Sequence, residues 1–307
     1  MVTLQTQPTR RASALTVSDL GRRRHRTPLG NTWRTLRRQP LALAGAAVVI
    51  IWLALGVLAP VLPIQDPNHQ DLLNKLQPPS QRYWLGTDDL GRDMVSRVIY
   101  GARTSVPAGF TVILITGSIG CILGAIAGFF GRWPDTLLMR LADAVLAFPS
   151  IILAMAITTA SPWREHRLLN AMLAVGLVLW PEYARLMRGQ VLAIKHNDFV
   201  TAAEAMGASR RRILLRHVLP STDAPIIVKA SLDVGAAIVL TAALSFIGLG
   251  IIPPQAEWGA MIKQGADKGL QYWWYAAVPG VAIMSVVMSL NFFGDGLRDA
   301  LDPRRRR

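Results

Sequence analysis

Six stretches of this 307-residue chain are long and apolar enough to cross a lipid bilayer, and nothing else in the sequence narrows the fold as far. A helix that crosses needs about 20 mostly apolar residues, because the hydrocarbon core is roughly 30 Å thick and each helical residue rises about 1.5 Å. The stretches run from Leu41 to Leu62, Ala108 to Phe130, Leu137 to Thr159, Leu168 to Leu186, Ile226 to Leu249 and Trp274 to Phe293. The fourth departs furthest from the pattern, since it contains Asn170 and Pro181. Hydrophobic residues make up 51% of the chain and mean hydropathy is +0.33, which excludes an ordinary soluble domain of this size. The expected fold is an all-α integral membrane protein of six transmembrane helices.

Lys and Arg set the orientation of such a protein, because basic loops stay on the cytoplasmic side. Nine arginines precede the first span (Arg10, Arg11, Arg22, Arg23, Arg24, Arg26, Arg34, Arg37 and Arg38), segment 187–222 is rich in them, and the chain ends in Arg304 to Arg307. Six spans place both termini on one side. The loops 63–107, 160–167 and 250–273 then lie outside with nine of the 33 basic residues. Span count and charge bias agree on N-in and C-in. Three regions follow: a basic cytoplasmic arm, 1–40, poorly ordered at its beginning; the first span with its outside loop, 41–107; and a five-helix core, 108–307.

The net charge of +14 alone fits a nucleic-acid binder, yet the excess lies beside membrane spans, where anionic lipid headgroups attract it. No nucleic acid is required. Arg10 and Arg11 are followed by no apolar stretch before Leu41, so the arm reads as retained rather than as an export signal. The single cysteine, Cys121, has no intrachain partner, and His25, His69, His166, His196 and His217 show no paired metal spacing. No metal is expected. A phosphate-cradling loop needs a lysine followed by Ser or Thr, and Lys75, Lys195, Lys229, Lys263 and Lys268 are followed by Leu, His, Ala, Gln and Gly. ATP chemistry, if the chain uses it, belongs to another polypeptide.

One charged stretch, TAAEAMGASRRRILLRHVLPST at 201–222, has the properties of a surface that receives force from such a partner. Asp198 is a candidate N-cap, and Thr201 through Met206 are mostly good helix formers whose alanines permit close approach. Gly207 permits a sharp turn, Arg210, Arg211, Arg212 and Arg216 form a basic second segment, and Pro220 marks the break before the fifth span. The predicted result is a helix, turn, helix on the cytoplasmic face. A DNA-binding helix-turn-helix has similar composition, but a loop held between two spans lacks the third helix and core that present a recognition helix.

The pattern Ala202-Ala203, Gly207, Leu219-Pro220 resembles the coupling motif of binding-protein-dependent ABC importer permeases. Thr201 stands where that family often has Glu. Three further stretches are similar to the C-type permease of dipeptide and oligopeptide importers: WLGTDDLGRDMVSRVIYGARTSV from Trp84 to Val106, LSFIGLGIIPPQAEWGAMI from Leu244 to Ile262, and NFFGDGLRDALDPR from Asn291 to Arg304. The resemblance implies a type I importer permease in a bacterial plasma (inner) membrane, acting with a second permease subunit, two ATP-binding subunits or domains and an extracytoplasmic substrate-binding protein. It implies that the chain is no enzyme and binds no cofactor, ATP and magnesium residing in the partners. The coupling residues it implies, within 198–220, are Thr201, Ala202, Ala203, Glu204, Gly207, Ala208, Ser209, Leu219 and Pro220. Related permeases carry nickel and other small solutes, and six spans alone also suit a passive channel or an ion-coupled carrier.

Other residues invite a reading of their own. Gly86, Gly91 and Gly101 with Asp88, Asp89, Asp93, Arg92, Arg97 and Arg103 form a turn-rich loop of nearly cancelling charge. Together they suit a folded cap or a contact with the binding protein, and each alone reads as a solvated loop residue. Trp258, Trp273 and Trp274 suit interfacial anchors. Gly120, Gly124 and Gly128 repeat every four residues, a face for close helix packing. Lys229 and Asp233, and likewise Arg140 and Asp143, stand one helical turn apart and can pair. Asp233 is also a pathway candidate, since ionisable groups within spans are often functional.

Overall fold

The computed structural model describes residues 36–162 and 165–301. The arginines at 10–34 and 304–307 lie outside the described residues. Ten α-helices organise this part of the chain: α1 Pro40–Leu58, α2 Met94–Phe130, α3 Arg132–Leu146, α4 Ser150–Ala160, α5 Arg167–Ile194, α6 Asp198–Ala205, α7 Arg210–Ile213, α8 Asp223–Phe246, α9 Trp258–Ala266 and α10 Trp273–Leu301. Among the described residues the only β contact is a single antiparallel bridge between Thr87 and Asp93.

Four helical segments, Pro40–Val61, Met94–Phe130, Asp223–Phe246 and Leu270–Leu301, are long and apolar enough to cross a membrane, and α3 with α4 makes a fifth if the bent pair counts as one span. That pair corrects the continuous helix expected from Leu137 to Thr159. It breaks at Ala147-Phe148-Pro149 and bends by 96°. Pro149 has no N–H and its ring clashes with the preceding turn, and α4 alone, 11 residues long, rises only about 17 Å. The expected fourth span lies within α5, whose polar residues keep it below the hydropathy of the other four. α5 nonetheless runs through the protein interior, burying Ala171, Ala174, Val175, Gly176, Val178, Trp180, Pro181, Tyr183, Ala184 and Met187.

Helix α2 begins at Met94 rather than at Ala108, and its 37 residues reach about 56 Å, well beyond a hydrocarbon core of roughly 30 Å. Asp93 caps it by accepting from the Ser96 N–H and hydroxyl at 2.8 and 2.9 Å. The glycine face packs as expected. A methyl at Gly120, Gly124 or Gly128 would meet the α5 backbone at Trp180, Ala184 or Arg188, so the two helix axes come close only because these side chains are absent. On the other side, Gly109 receives Ile238 of α8, and Gly45 and Gly296 let α1 and α10 touch. These packings fix two opposite ends. At one, the N-terminus of α2 meets segment 62–93 and the chain between α8 and α10. At the other, Lys195 donates to the Gly128 carbonyl at 3.1 Å, where α2 ends and segment 195–222 begins.

Candidate functional site

At the first end the charges expected in a solvated loop are buried. Thr87 and Asp88 are fully enclosed, as are Arg97 and, within 1%, Arg92. Asp88 is the hub. Its Oδ1 accepts from the N–H groups of Leu90 and Arg92, each at 2.9 Å, and its Oδ2 accepts from Arg92 Nε at 2.5 Å and faces Arg97 Nε at 3.4 Å. Two guanidinium groups therefore share one carboxylate, which repays their desolvation only with further hydrogen bonds. Arg97 finds two in the backbone, its Nη1 donating to the carbonyls of Pro67 at 3.1 Å and Pro254 at 3.4 Å, while its Nε and Nη2 have no hydrogen-bond partner among the described residues.

Two of the tryptophans expected at the lipid interface belong to this knot. Trp258 is fully buried and donates from Nε1 to the Val98 carbonyl at 3.0 Å, and Trp274 donates to the Thr87 carbonyl at 3.2 Å. An indole N–H so satisfied has no need of headgroups. Trp273 remains exposed at 59%. Gly86, at φ +77, lies against the Trp274 ring, where a Cβ would fall 2.7 Å from ring atoms and from the Gln77 carbonyl. Glu257 caps α9 by accepting from Gly259 and Ala260 at 2.9 and 2.8 Å, and burial pushes its carboxyl above the usual carboxylate range against the pull of those two N–H groups. Tyr275 ties in Asp89, its hydroxyl donating to Oδ1 at 3.0 Å, and Lys268 reaches the other oxygen at 3.1 Å. The knot is thus a folded cap, and a solvated loop is the wrong description of Asp88, Arg92 and Arg97. Arg103 stays exposed.

Beside the cap opens a cleft of about 820 Å³. Pro67 and Asn68 line one rim, Ile251 and Gln255 another, and Tyr100, Arg103 and Thr104 of α2 form part of the wall. Arg97 holds both rims, since it donates to Pro67 and Pro254. Sequence reasoning found these residues as a motif and missed their burial.

The opposite end carries the helix, turn, helix. Helix α6 starts one residue earlier than expected, so Asn197 occupies the N-cap position and Asp198 lies in the first turn, where a carboxylate favours the helix dipole. The turn closes by two backbone hydrogen bonds, Ala208 N–H to the Ala203 carbonyl at 3.1 Å and Gly207 N–H to Glu204 at 2.9 Å. This is a Schellman ending, which needs a left-handed residue at its corner, and Gly207 supplies φ +81. After α7 the chain forms a π turn at Leu214–Val218 and a 3-10 turn at Leu219–Ser221. Val200, Ala203, Ile213, Leu214 and Val218 pack with Met187 and Val191 of α5, with Ala208 and Leu219 half-buried against them. The geometry divides the expected coupling residues. Thr201, Ala202, Glu204, Gly207, Ser209 and Pro220 face outward, whereas Ala203 is 2% exposed inside the chain's own core. Three large apolar side chains also point out of the segment: Phe199 at 43%, Met206 at 81% and Leu215 at 52% exposure.

Asp233 pairs with Lys229 at 2.9 Å as expected, and Lys229 also reaches Glu182 of α5 at 2.8 Å. The group borders a second cleft, of about 680 Å³, with Arg298 and Gln190. Arg140 and Asp143 do not form the expected pair: Asp143 takes Arg185 of α5 at 2.5 Å, and Asp135 of α3 takes Arg188 at 2.5 Å.

Known proteins share this sequence over nearly its whole length. The family of binding-protein-dependent transport system inner membrane components matches residues 120–307, and the N-terminal TM domain of oligopeptide transport permease C matches residues 27–79. The chain is 44% identical to the probable D,D-dipeptide transport system permease protein DdpC of Escherichia coli (strain K12), over 88% of this chain and 89% of that protein. It is 41% identical to the dipeptide transport system permease protein DppC of Alkalihalophilus pseudofirmus, over 91% of each chain. Against the glutathione transport system permease protein GsiD of Pectobacterium atrosepticum the identity is 39%, over 91% and 92%. With a helical bundle of membrane-crossing length, matched in sequence over more than half the chain by one family, this protein belongs to the inner membrane components of binding-protein-dependent transport systems.

Proposed function

We propose that the chain is the C-type permease of an ATP-driven importer of short peptides, with a second permease forming the other wall of the pathway. Two ATP-hydrolysing subunits or domains and an external binding protein complete the assembly. In this reading α5 and the bent α3 and α4 complete six crossings, both termini face the cytoplasm, and the capped end faces outward. The relatives named for dipeptides and glutathione support the cargo class.

The observation that carries the reading is the outward face of α6. Phe199, Ala202 and Met206 follow helical spacing and remain exposed on a segment whose adjoining face, about 100° round the helix, is packed into α5 through Val200 and Ala203. A surface rigidly tied to a pathway helix, with apolar side chains left uncovered, suits a partner that pushes on it. Closure of the ATP-bound partners would pull the segment around Gly207 and shift the two permeases between outward-open and inward-open arrangements. No chemistry is done on the cargo.

The test is reconstitution of the assembly in vesicles. The complete complex takes up dialanine only when ATP and the binding protein are both present, and the isolated chain hydrolyses no ATP. Single cysteines at Ser80 and Gln264, in a Cys121→Ser background, react with an impermeant thiol reagent on intact cells, and one at Ser209 reacts only after lysis. ATP-independent uptake, or labelling at Ser209 without lysis, overturns the assignment.

A further inference from the structure

The cleft beside the cap has one cation on its lining, Arg103. Arg92, Arg97, Lys263 and Lys268 each take a carboxylate of the chain. Arg103, like Lys75, Arg82 and Arg167, takes none among the described residues, but of these four only Arg103 lines the cleft wall, exposed and beside Tyr100, Thr104 and Thr111. Asp66, also exposed, lies on the same lining.

We propose that this cleft is a subsite for the terminal carboxylate of the transported peptide, with Arg103 as the residue that receives it. The proposal rests on the peptide-import reading and on the capped end facing outward. Three features of the site support it. A guanidinium offers a planar fork of donors that matches a carboxylate with two hydrogen bonds, which a flexible ammonium does not. The arginine is also held in place from behind: Gly56 of α1 packs so tightly on the Arg103 backbone that a Cβ there would stand 3.0 Å from the Arg103 nitrogen, so the helix cannot retreat in that direction. Finally, Pro107, one turn further on inside α2, lines the same cleft and has no N–H to give the Arg103 carbonyl.

Size and polarity agree with this class of ligand. Sites for small solutes are mostly clefts of about 300 to 1,000 Å³ with a few placed polar groups, and 820 Å³ admits a peptide of a few residues without enclosing it. Partial openness suits a subsite on a route, where a solute must leave as readily as it enters. The rims are fixed by Arg97, which donates to Pro67 on one side and Pro254 on the other, so a ligand meets a formed site rather than assembling one.

A comparison of two solutes on three proteins tests the assignment. The reconstituted complex, with its second permease, ATPases and binding protein, is prepared with this chain as wild type, Arg103→Gln and Arg103→Lys, and initial uptake of dialanine and of dialanine amide is measured for each. Any discrimination by the binding protein is common to all three and cancels in the ratio to wild type. Arg103→Gln is expected to lower dialanine uptake about ten-fold or more, the scale of one lost charge-assisted hydrogen bond, while changing amide uptake less than about two-fold; Arg103→Lys restores part of the dialanine rate. An equal loss for both solutes, or no loss for either, overturns the subsite and leaves the import reading standing. Failure of the wild-type complex to take up dialanine at all overturns the peptide reading, and this proposal with it.

Discussion

The two ends of the bundle are built from similar material and finished in opposite ways. Each is a stretch rich in charge, broken by a glycine with positive φ, and set between long apolar helices. At the capped end the ions meet within the chain: Asp88, Arg92 and Arg97 are buried together, and Trp258 and Trp274 close over them. At the other end Arg210, Arg211, Arg212 and Arg216 stay exposed, and so do Phe199 and Met206. A group that is desolvated must find its partners inside the fold, so the first end is shaped by the chain alone. The second is half a surface. Its buried side fixes where it sits, and its open side is covered by no other part of the described chain.

The contrast breaks most sharply at Arg97. Replacing it with Ala leaves Asp88 with one guanidinium in place of two and removes the donor to Pro67 and Pro254. Asp88 keeps Arg92, so the loss comes from elsewhere: a buried acceptor left without its donor costs about 1–3 kcal/mol, and the space vacated by a fully buried side chain adds to it. Arg97→Ala is expected to lower the melting temperature of the purified permease pair markedly, while Arg212→Gln at the exposed end leaves it within about 0.5 kcal/mol of wild type. Equal stability of the two variants would mean that the buried knot contributes nothing.

A smaller effect separates the two corner glycines. Gly86 and Gly207 have nearly the same backbone angle, φ +77 and φ +81, and an alanine at either carries a left-handed strain of about 1–2 kcal/mol. Their surroundings differ. A Cβ at Gly86 strikes Gln77 and Trp274, whereas nothing lies within 4 Å of one at Gly207. Overpacking therefore adds about 1–3 kcal/mol at Gly86 alone. Thermal denaturation of Gly86→Ala and Gly207→Ala measures the difference directly, and equal losses would show that only the backbone angle matters.

The sequence made the exposed end easier to read than the buried one, and the reason is range. The turn at Gly207 depends on residues within six positions of each other, so glycine, helix formers and arginines announce it locally. The knot depends on contacts such as Arg97 to Pro254 and Trp274 to Thr87, separated by 157 and 187 residues. A run of alternating charges looks the same whether it will be solvated or folded against distant carbonyls. The spans show the same division. Apolar runs gave α1, α2, α8 and α10, but the 96° bend at Pro149 was hidden in a window read as one apolar span despite Arg140 and Asp143. Proline alone does not signal it, since Pro107, Pro181 and Pro279 lie inside continuous helices.

The finest distinction falls between two adjacent alanines of α6. Ala202 faces outward and Ala203 is packed against Val200, Ile213, Leu214 and Val218, so a single residue step turns the side chain about 100° around the helix. Ala203→Trp must find room inside that cluster, which overpacking data place at about 1–3 kcal/mol, and any loss of ATPase association then follows from a displaced segment. Ala202→Trp meets no such obstacle. Its expected cost in stability is below about 0.5 kcal/mol, yet it puts a bulky indole in the middle of the exposed face formed with Phe199 and Met206. Melting of the permease pair and co-purification of the ATPases, measured on both variants, separate a change in the segment's own packing from a change in what it presents. The expected result is an unchanged melting temperature with lost ATPases for Ala202→Trp, and a lowered melting temperature for Ala203→Trp. If Ala202→Trp kept its ATPases at wild-type yield, the outward face of α6 would not be the docking surface, and the contact would have to be sought among the exposed arginines of α7.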